Sequence, residues 1–199
     1  FGMSWPDSVI GQLREQIAVM QAFWRSWKEG ARLSFEGDYY RINLTSPFFT
    51  PAAHEYAEIP IFIAGVNPGL ARLTGEVAHG FHAHPFHSRA YLHDVIQPAI
   101  LSGAEQAGRT LEEIQVVAHA FVVTNPTERE LVRQQVAFYA STPSYRPVLE
   151  HHGWQEVGER LSRLAKSGKW TEMPDLVSDE MVDTFATAAD PGDLAAALK

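Results

Sequence analysis

The sequence predicts an α/β fold, a parallel sheet with helices packed outside it, and three observations carry that expectation. The first is residues 60–86, PIFIAGVNPGLARLTGEVAHGFHAHPF. A short apolar run, Ile61 to Ala64, leads into the turn Gly65-Val66-Asn67-Pro68-Gly69. Leu70, Leu73 and Val77 then follow at helical spacing, and a second run, Gly80 to His84, stops at Pro85. Strand, turn, helix and strand in so short a span form a compact βαβ unit, whose strands must be parallel. The second observation is Gln115 to Thr124, where Val116, Val117, Phe121, Val122 and Val123 give the near-continuous hydrophobicity of a strand covered on both faces. The third is the alternation of strand and helix patterns along the whole chain, which points to the barrel class. Ligands in such folds sit at the C-terminal ends of the strands. Two places are thereby singled out: the turn 65–69 and the residues His82 to His87.

Taken in order, residues 4–30 read as one amphipathic helix. Ile10, Leu13, Ile17, Met20, Trp24 and Trp27 alternate steps of three and four, while Arg14, Glu15, Arg25 and Lys28 fall on the water side. Ser4 with Asp7 predicts the start, and Gly30 the stop. Leu33 to Ile42 brackets Glu36-Gly37-Asp38 with aromatic and β-branched residues, a hairpin signal. Residues 43–60 form a proline-punctuated loop in which Phe48 and Phe49 are expected to pin the chain to the body. Ser88 caps a helix to about Gly108 that Pro98 interrupts, and Thr110 with Glu113 opens a short helical turn. Thr127 with Glu130 starts a helix to about Ala140, and helical segments follow around 144–152 and 155–167. A last strand is expected over Asp183 to Ala188, then a final helix with Asp190 as N-cap and Pro191 at its first position.

Composition removes several function classes. The chain has 199 residues with 45% apolar and 20% charged side chains, enough for one globular domain spanning residues 1–199. Sixteen basic against 24 acidic residues give a net charge of −8 with no basic stripe, so nucleic acid is not expected as a partner. With no cysteine, disulfides and thiolate metal sites are excluded. No apolar run approaches the ~20 residues of a membrane span, and the chain is expected to be cytoplasmic.

The turn 65–69 can do chemistry. Gly65 allows a sharp turn and close approach of a ligand, and Pro68 carries no N–H. The donors available to a phosphate at this helix N-terminus are those of Gly69, Leu70 and Ala71. An ordinary β–α connection would use the same residues. His82 and His84, two apart on a strand, share a face, leaving Phe81 and Ala83 to face the helices. A histidine at a strand's C-terminal end can bind a polar substrate or donate to a developing oxyanion. The plainer alternative is a pair of hydrogen-bonded interior histidines. With His87 and His119 the cluster also invites a metal reading. His151-His152 falls in a helical segment without a role, and Arg146 is read as a surface ion pair or an anion contact.

The run Pro60-Ile61-Phe62-Ile63-Ala64-Gly65-Val66-Asn67-Pro68, then Leu70, then Gly75-Glu76-Val77-Ala78-His79-Gly80-Phe81, resembles the luciferase-like monooxygenases, in particular the branch that uses the deazaflavin coenzyme F-420. Phe35-Glu36-Gly37-Asp38-Tyr39-Tyr40 is similar to that family's F-x-G-x-Y-Y segment. Asn67 stands where Gly is commoner in the family, and His79 where Asp is commoner. The resemblance implies a (β/α)8 TIM-type barrel. Such a barrel needs ~250 residues, so this chain corresponds to its later half. It implies F-420 as cofactor, with FMN as the alternative, held by Gly65, Val66, Asn67, Pro68, Leu70 and Ala71. It implies hydride transfer to or from a small organic substrate, with His84 and His82 as the catalytic candidates. Two other classes stay open: a metal-dependent barrel hydrolase using His82, His84, His87 and His119, and a non-catalytic barrel fragment. The open edges of a half barrel favour pairing with another copy, a homo-oligomer.

Overall fold

The computed structural model describes residues 7–52 and 59–198. Helix α1, Val9–Glu29, is capped by Ser8, whose side-chain oxygen accepts the Gly11 N–H, and ends at Gly30 with φ of 64°, a left-handed conformation suited to glycine. Ser4, the expected cap, lies outside the described residues. Two of the side chains assigned to water have other work. Arg14 pairs with Glu76 at 2.5 Å, and the Glu15 carboxylate accepts the backbone N–H groups of Asp38, Tyr39 and Tyr40. Those three amides form the turn of the expected hairpin, β1 (Phe35–Glu36) and β2 (Arg41–Ile42). Gly37 leaves room for that contact, since a Cβ there would displace the Glu15 carboxylate. Phe48 and Phe49 do not pin the following loop: they are 87% and 80% exposed and touch each other edge to face.

The βαβ unit forms as the spacing predicts. Strand β3 (Phe62–Gly65), helix α2 (Pro68–Val77) and strand β4 (Gly80–Ala83) follow one another, with β3 and β4 parallel and Phe62 opposite Gly80. His79, at the position where the family favours Asp, does a carboxylate's job: its Nδ1 accepts the Ile61 N–H at 3.0 Å. Ile17 of α1 packs with Ile63, Leu73 and Ala78, so α1 covers this corner. Ser88 caps the next helix, which runs as α3 (Arg89–Tyr91), a π turn (Leu92–Ile96) and α4 (Gln97–Gln106). Pro98 does not stop it. The wide turn just before the proline absorbs the hydrogen bond that the ring cannot make, and the axis continues. Helices α2 and α4 touch backbone to backbone, because Gly75 faces the Ile100 carbonyl and Gly103 faces the Arg72 carbonyl.

The stretch expected as one strand, 115–124, is two. Strand β5 (Gln115–Ala118) pairs with β4, and β6 (Phe121–Val123) pairs with the last strand, β7 (Ala186–Ala188), in parallel. The break falls at His119-Ala120. There the strand leaves β4 and joins β7, and His119 Nδ1 lies 3.3 Å from the Ala83 carbonyl. The neighbour order β3, β4, β5/β6, β7 is that of consecutive barrel strands.

Helix α5 (Pro126–Ala140) starts two residues earlier than expected. Asn125, not Thr127, caps it by accepting the Glu128 N–H, while the Glu128 carboxylate accepts the N–H and O–H of Thr124. Helices α6 (Arg146–His151) and α7 (Gln155–Lys166) lie where expected, with Leu161 fully buried. Residues 183–185, expected in strand, close helix α8 (Asp179–Phe185) instead, capped by Ser178. The final helix, α9 (Leu194–Ala197), is capped at Asp193 rather than Asp190, because Asp190 to Asp193 forms a turn of its own. The main core gathers Phe81, Phe86, Tyr91, Ile100, Leu149 and Phe185 between the strands and the helices after β4.

Candidate functional site

A cavity of about 410 Å³ opens at the C-terminal ends of β3 and β4, the end at which a parallel fold places its chemistry. The turn 65–67 supplies one wall. Its shape is fixed from three sides. The His84 N–H donates to the Gly65 carbonyl at 3.0 Å, extending the β3–β4 ladder past the strand. The Tyr91 hydroxyl, in a fully buried side chain whose pKa burial pushes up to about 12, donates to the Val66 carbonyl at 3.0 Å. Leu70 closes against Gly65, where a Cβ would stand 2.8 Å from the Leu70 methyl.

Asn67 departs from the usual behaviour of its position. It is the N-cap residue of α2, in extended conformation with φ of −97°, yet its side chain caps nothing. Its Oδ1 is buried and has no hydrogen-bond partner among the described residues, and the residue lines the cavity. Two consequences follow. The first-turn N–H groups of Gly69 and Leu70 are left without the side-chain acceptor an Asn cap normally provides. A buried acceptor without a donor is costly.

Of the turn residues singled out in the sequence, Gly65, Val66, Asn67 and Leu70 line the cavity. Pro68 is exposed outside it, and Ala71 is fully buried with its N–H already given to the Asn67 carbonyl at 3.3 Å.

His82 and His84 both line the cavity at the end of β4, Phe81 is fully buried away from it, and the buried Ala83 borders it. His82 sits between rings, with centroids 5.3 Å from Phe62 and 5.9 Å from His119. For His84 the bonding fixes the tautomer. Its Nδ1 lies 3.1 Å from the Phe86 N–H, which can only donate, so Nδ1 is the acceptor and the ring proton is on Nε2. That Nε2–H points at the Tyr145 hydroxyl 3.2 Å away, and the two rings stack at 4.7 Å. Burial, with the neighbouring His87 and His119, lowers the His84 pKa below the ordinary 6.5, so the ring is neutral at pH 7. Burial also raises the Tyr145 pKa, which keeps the phenol protonated.

His87 Nδ1 donates to the His84 carbonyl at 2.6 Å, and His119 leans on the Ala83 carbonyl. Among the described residues no three histidine or carboxylate side chains converge as metal ligands, which corrects the metal-hydrolase reading of His82, His84, His87 and His119. His152, expected to idle on the surface, is half-buried, 2.8 Å from Ser88 Oγ and stacked on Trp154. Arg146 makes no ion pair among the described residues, and its Nε is buried without a partner.

The residue that sequence reading passed over is Tyr145. It sits in Thr142-Pro143-Ser144-Tyr145-Arg146-Pro147, where the cation drew attention. An aromatic residue locked between two prolines was the available signal. A larger groove, about 550 Å³, runs beside α7; it is lined by Arg160, Arg163, Lys169, Glu172 and Asp175, of which Lys169 and Glu172 pair at 3.1 Å, and none of its lining residues belongs to a strand. Among the described residues no helix is long and apolar enough to cross a membrane.

The sequence is 38% identical over 205 residues to an uncharacterized protein of Mycobacterium tuberculosis, covering 100% of this chain and 60% of that protein. It is 28% identical to an F-420-dependent glucose-6-phosphate dehydrogenase of Nakamurella multipartita, covering 96% of this chain and 55% of that enzyme. The solved F-420-dependent tetrahydromethanopterin reductase of Methanopyrus kandleri superposes with a TM-score of 0.76 at 25% identity, over 99% of this chain and 55% of that one. The chain thus spans little more than half the length of these relatives, and its parallel strands and helices match part of a (β/α)8 barrel. The family profile of the luciferase-like monooxygenases matches residues 1–199, and the chain belongs to that family.

Proposed function

We propose that this chain forms the cofactor wall of an F-420-dependent oxidoreductase that exchanges a hydride with a small organic substrate. The observation that carries the reading is the turn at Asn67. A buried acceptor without a partner stands beside two uncapped helix N–H groups, at the C-terminal end of a parallel strand. A phosphate-bearing planar cofactor with ring N–H groups meets both needs. The relatives named as F-420-dependent enzymes support that choice of cofactor. FMN is the alternative.

When bound, the deazaflavin would supply the hydride chemistry itself. The protein's part is position and polarity. Gly69 and Leu70 would donate to a phosphate, Gly65 would leave room for close approach, and Asn67 would offer its Oδ1 as an acceptor. His82 and His84 would present imidazole faces to the reacting ring or the substrate, and burial holds the His84 ring neutral at pH 7.

Titration of the intact protein with F-420, followed by deazaflavin fluorescence, tests the reading. Saturable binding that FMN displaces poorly is the expected result. Replacement of the unmet acceptor by a hydrocarbon of similar size, Asn67→Leu, should weaken that binding about tenfold, the effect of one hydrogen bond at its strongest. Absence of F-420 binding by the wild type overturns the proposal.

A further inference from the structure

We propose that the Tyr145 hydroxyl, oriented by His84, is the donor that recognises the substrate, and that the substrate is an uncharged, flat carbonyl compound or the alcohol derived from it. The inference rests on the oxidoreductase reading for its chemical purpose, but it stands on its own geometry.

The direction of the hydrogen bonds comes first. Because the Phe86 N–H occupies His84 Nδ1, the imidazole presents Nε2–H to Tyr145, and the phenolic oxygen accepts it. A hydroxyl that accepts from an N–H keeps its own proton for another partner. Among the described residues Tyr145 Oη has no other hydrogen-bond neighbour. Tyr145 lines the cavity, so the ligand is where that proton can go. The stack on His84 at 4.7 Å and the edge contact with Tyr139 at 5.9 Å hold the ring in place, which makes the donor preorganised rather than free to swing.

The wall then defines the class of ligand. Among the described residues no Lys, Arg, Asp or Glu side chain lines the cavity. A charged group placed against His82, His119 and Tyr145, away from the helix N–H groups of Gly69 and Leu70, would lose hydration with no charged side chain among the described residues to pair with. His82, His119 and Tyr145 offer ring faces and edges, suited to a flat group. A single donor on an uncharged aromatic wall matches a ketone, an enone or an aldehyde oxygen. The same donor fits the hydroxyl oxygen after reduction, since both oxygens accept.

The test uses 4-(dimethylamino)acetophenone, a ketone whose absorption moves to longer wavelength when its carbonyl oxygen accepts a hydrogen bond. The intact wild-type protein should bind this probe with a red-shifted spectrum. Tyr145→Phe keeps the ring and the stack, so it should unfold at the wild-type temperature, bind the probe about 2- to 12-fold more weakly and lose the red shift, as removal of one neutral hydrogen bond requires. His84→Phe removes the orienting Nε2–H and should leave a smaller shift. A wild type that does not bind the probe, or a Tyr145→Phe protein with unaltered affinity and spectrum, overturns the inference. Failure of F-420 to bind, together with a shift that depends on Tyr145, would remove the hydride reading and leave the carbonyl site standing. F-420 binding together with a shift indifferent to Tyr145 would do the reverse.

Discussion

Asn67 and His84 show how single residues are committed by what they do not do. Asn67 sits where an amide usually closes a helix, yet its oxygen is buried and unbonded. A buried unmet acceptor costs ~1–3 kcal/mol, so Asn67→Leu should leave the free protein as stable as the wild type or more so. Thermal unfolding without ligand measures that gain, and it should oppose the loss in F-420 affinity. His84 and His87 are held below their ordinary pKa of 6.5, in both cases chiefly by burial. In the native state they bind fewer protons than in the unfolded chain, so stability rises with pH up to about 6.5 and levels off above it. Read in the other direction, stability is lost as pH falls from 6.5 through the folded-state values. Protonation of His84 at Nδ1 also displaces the Phe86 N–H. His84→Gln should therefore flatten the slope of unfolding free energy between pH 6.5 and the acid limb, measured by urea titration at each pH. The depressed carboxylate of Asp179, held down first by Arg133 and then by Arg129, acts in a separate window below 3.8.

The elements are joined by contacts that periodicity does not reveal. Helix α1 reads as amphipathic, and its apolar face packs as expected on Ile63 and Leu73. Its polar face is the surprise, because Glu15 holds the hairpin by three backbone amides. Glu15→Ala should release that hairpin while α1 and the β3–β4 pair persist. Hydrogen exchange would show faster exchange at Asp38, Tyr39 and Tyr40 and unchanged protection at Ile63 and Phe81. Helices α2 and α4 meet through Gly75 and Gly103 at backbone distance. Gly75→Ala would improve helix propensity in isolation, but the added methyl has no room against the Ile100 carbonyl. The net effect should be a loss of ~1–3 kcal/mol, read from urea unfolding, as overpacked contacts show. The opposite sign would mean that the two helices can part at little cost.

At the scale of the whole molecule, the parallel order β3, β4, β5/β6, β7 was legible in the chain, because βαβ units carry their own punctuation. Gly65, Asn67 and Pro68 mark a strand end and a helix start, and Gly80 to Ala83 a second strand, without reference to any distant residue. Such signals are local, so one sequence suffices. The placement of His82 and His84 on one face also followed, since side chains alternate along a strand. The split of 115–123 into β5 and β6 was not legible. Its hydrophobic run is unbroken, and the break exists only because the strand changes partner from β4 to β7 at His119. The partnership of His84 with Tyr145 was equally hidden, as sixty-one residues separate two side chains that stack in the cavity. The sequence by itself determined the class of fold, the turn at Asn67 and the end of the strands at which the cavity opens, for each of these rests on local backbone preference. Only the tertiary structure decided which hydroxyl meets the His84 ring and faces the cavity, because Tyr145 comes from a segment sixty-one residues away, and which acceptor goes unmet, because that depends on everything packed around Asn67.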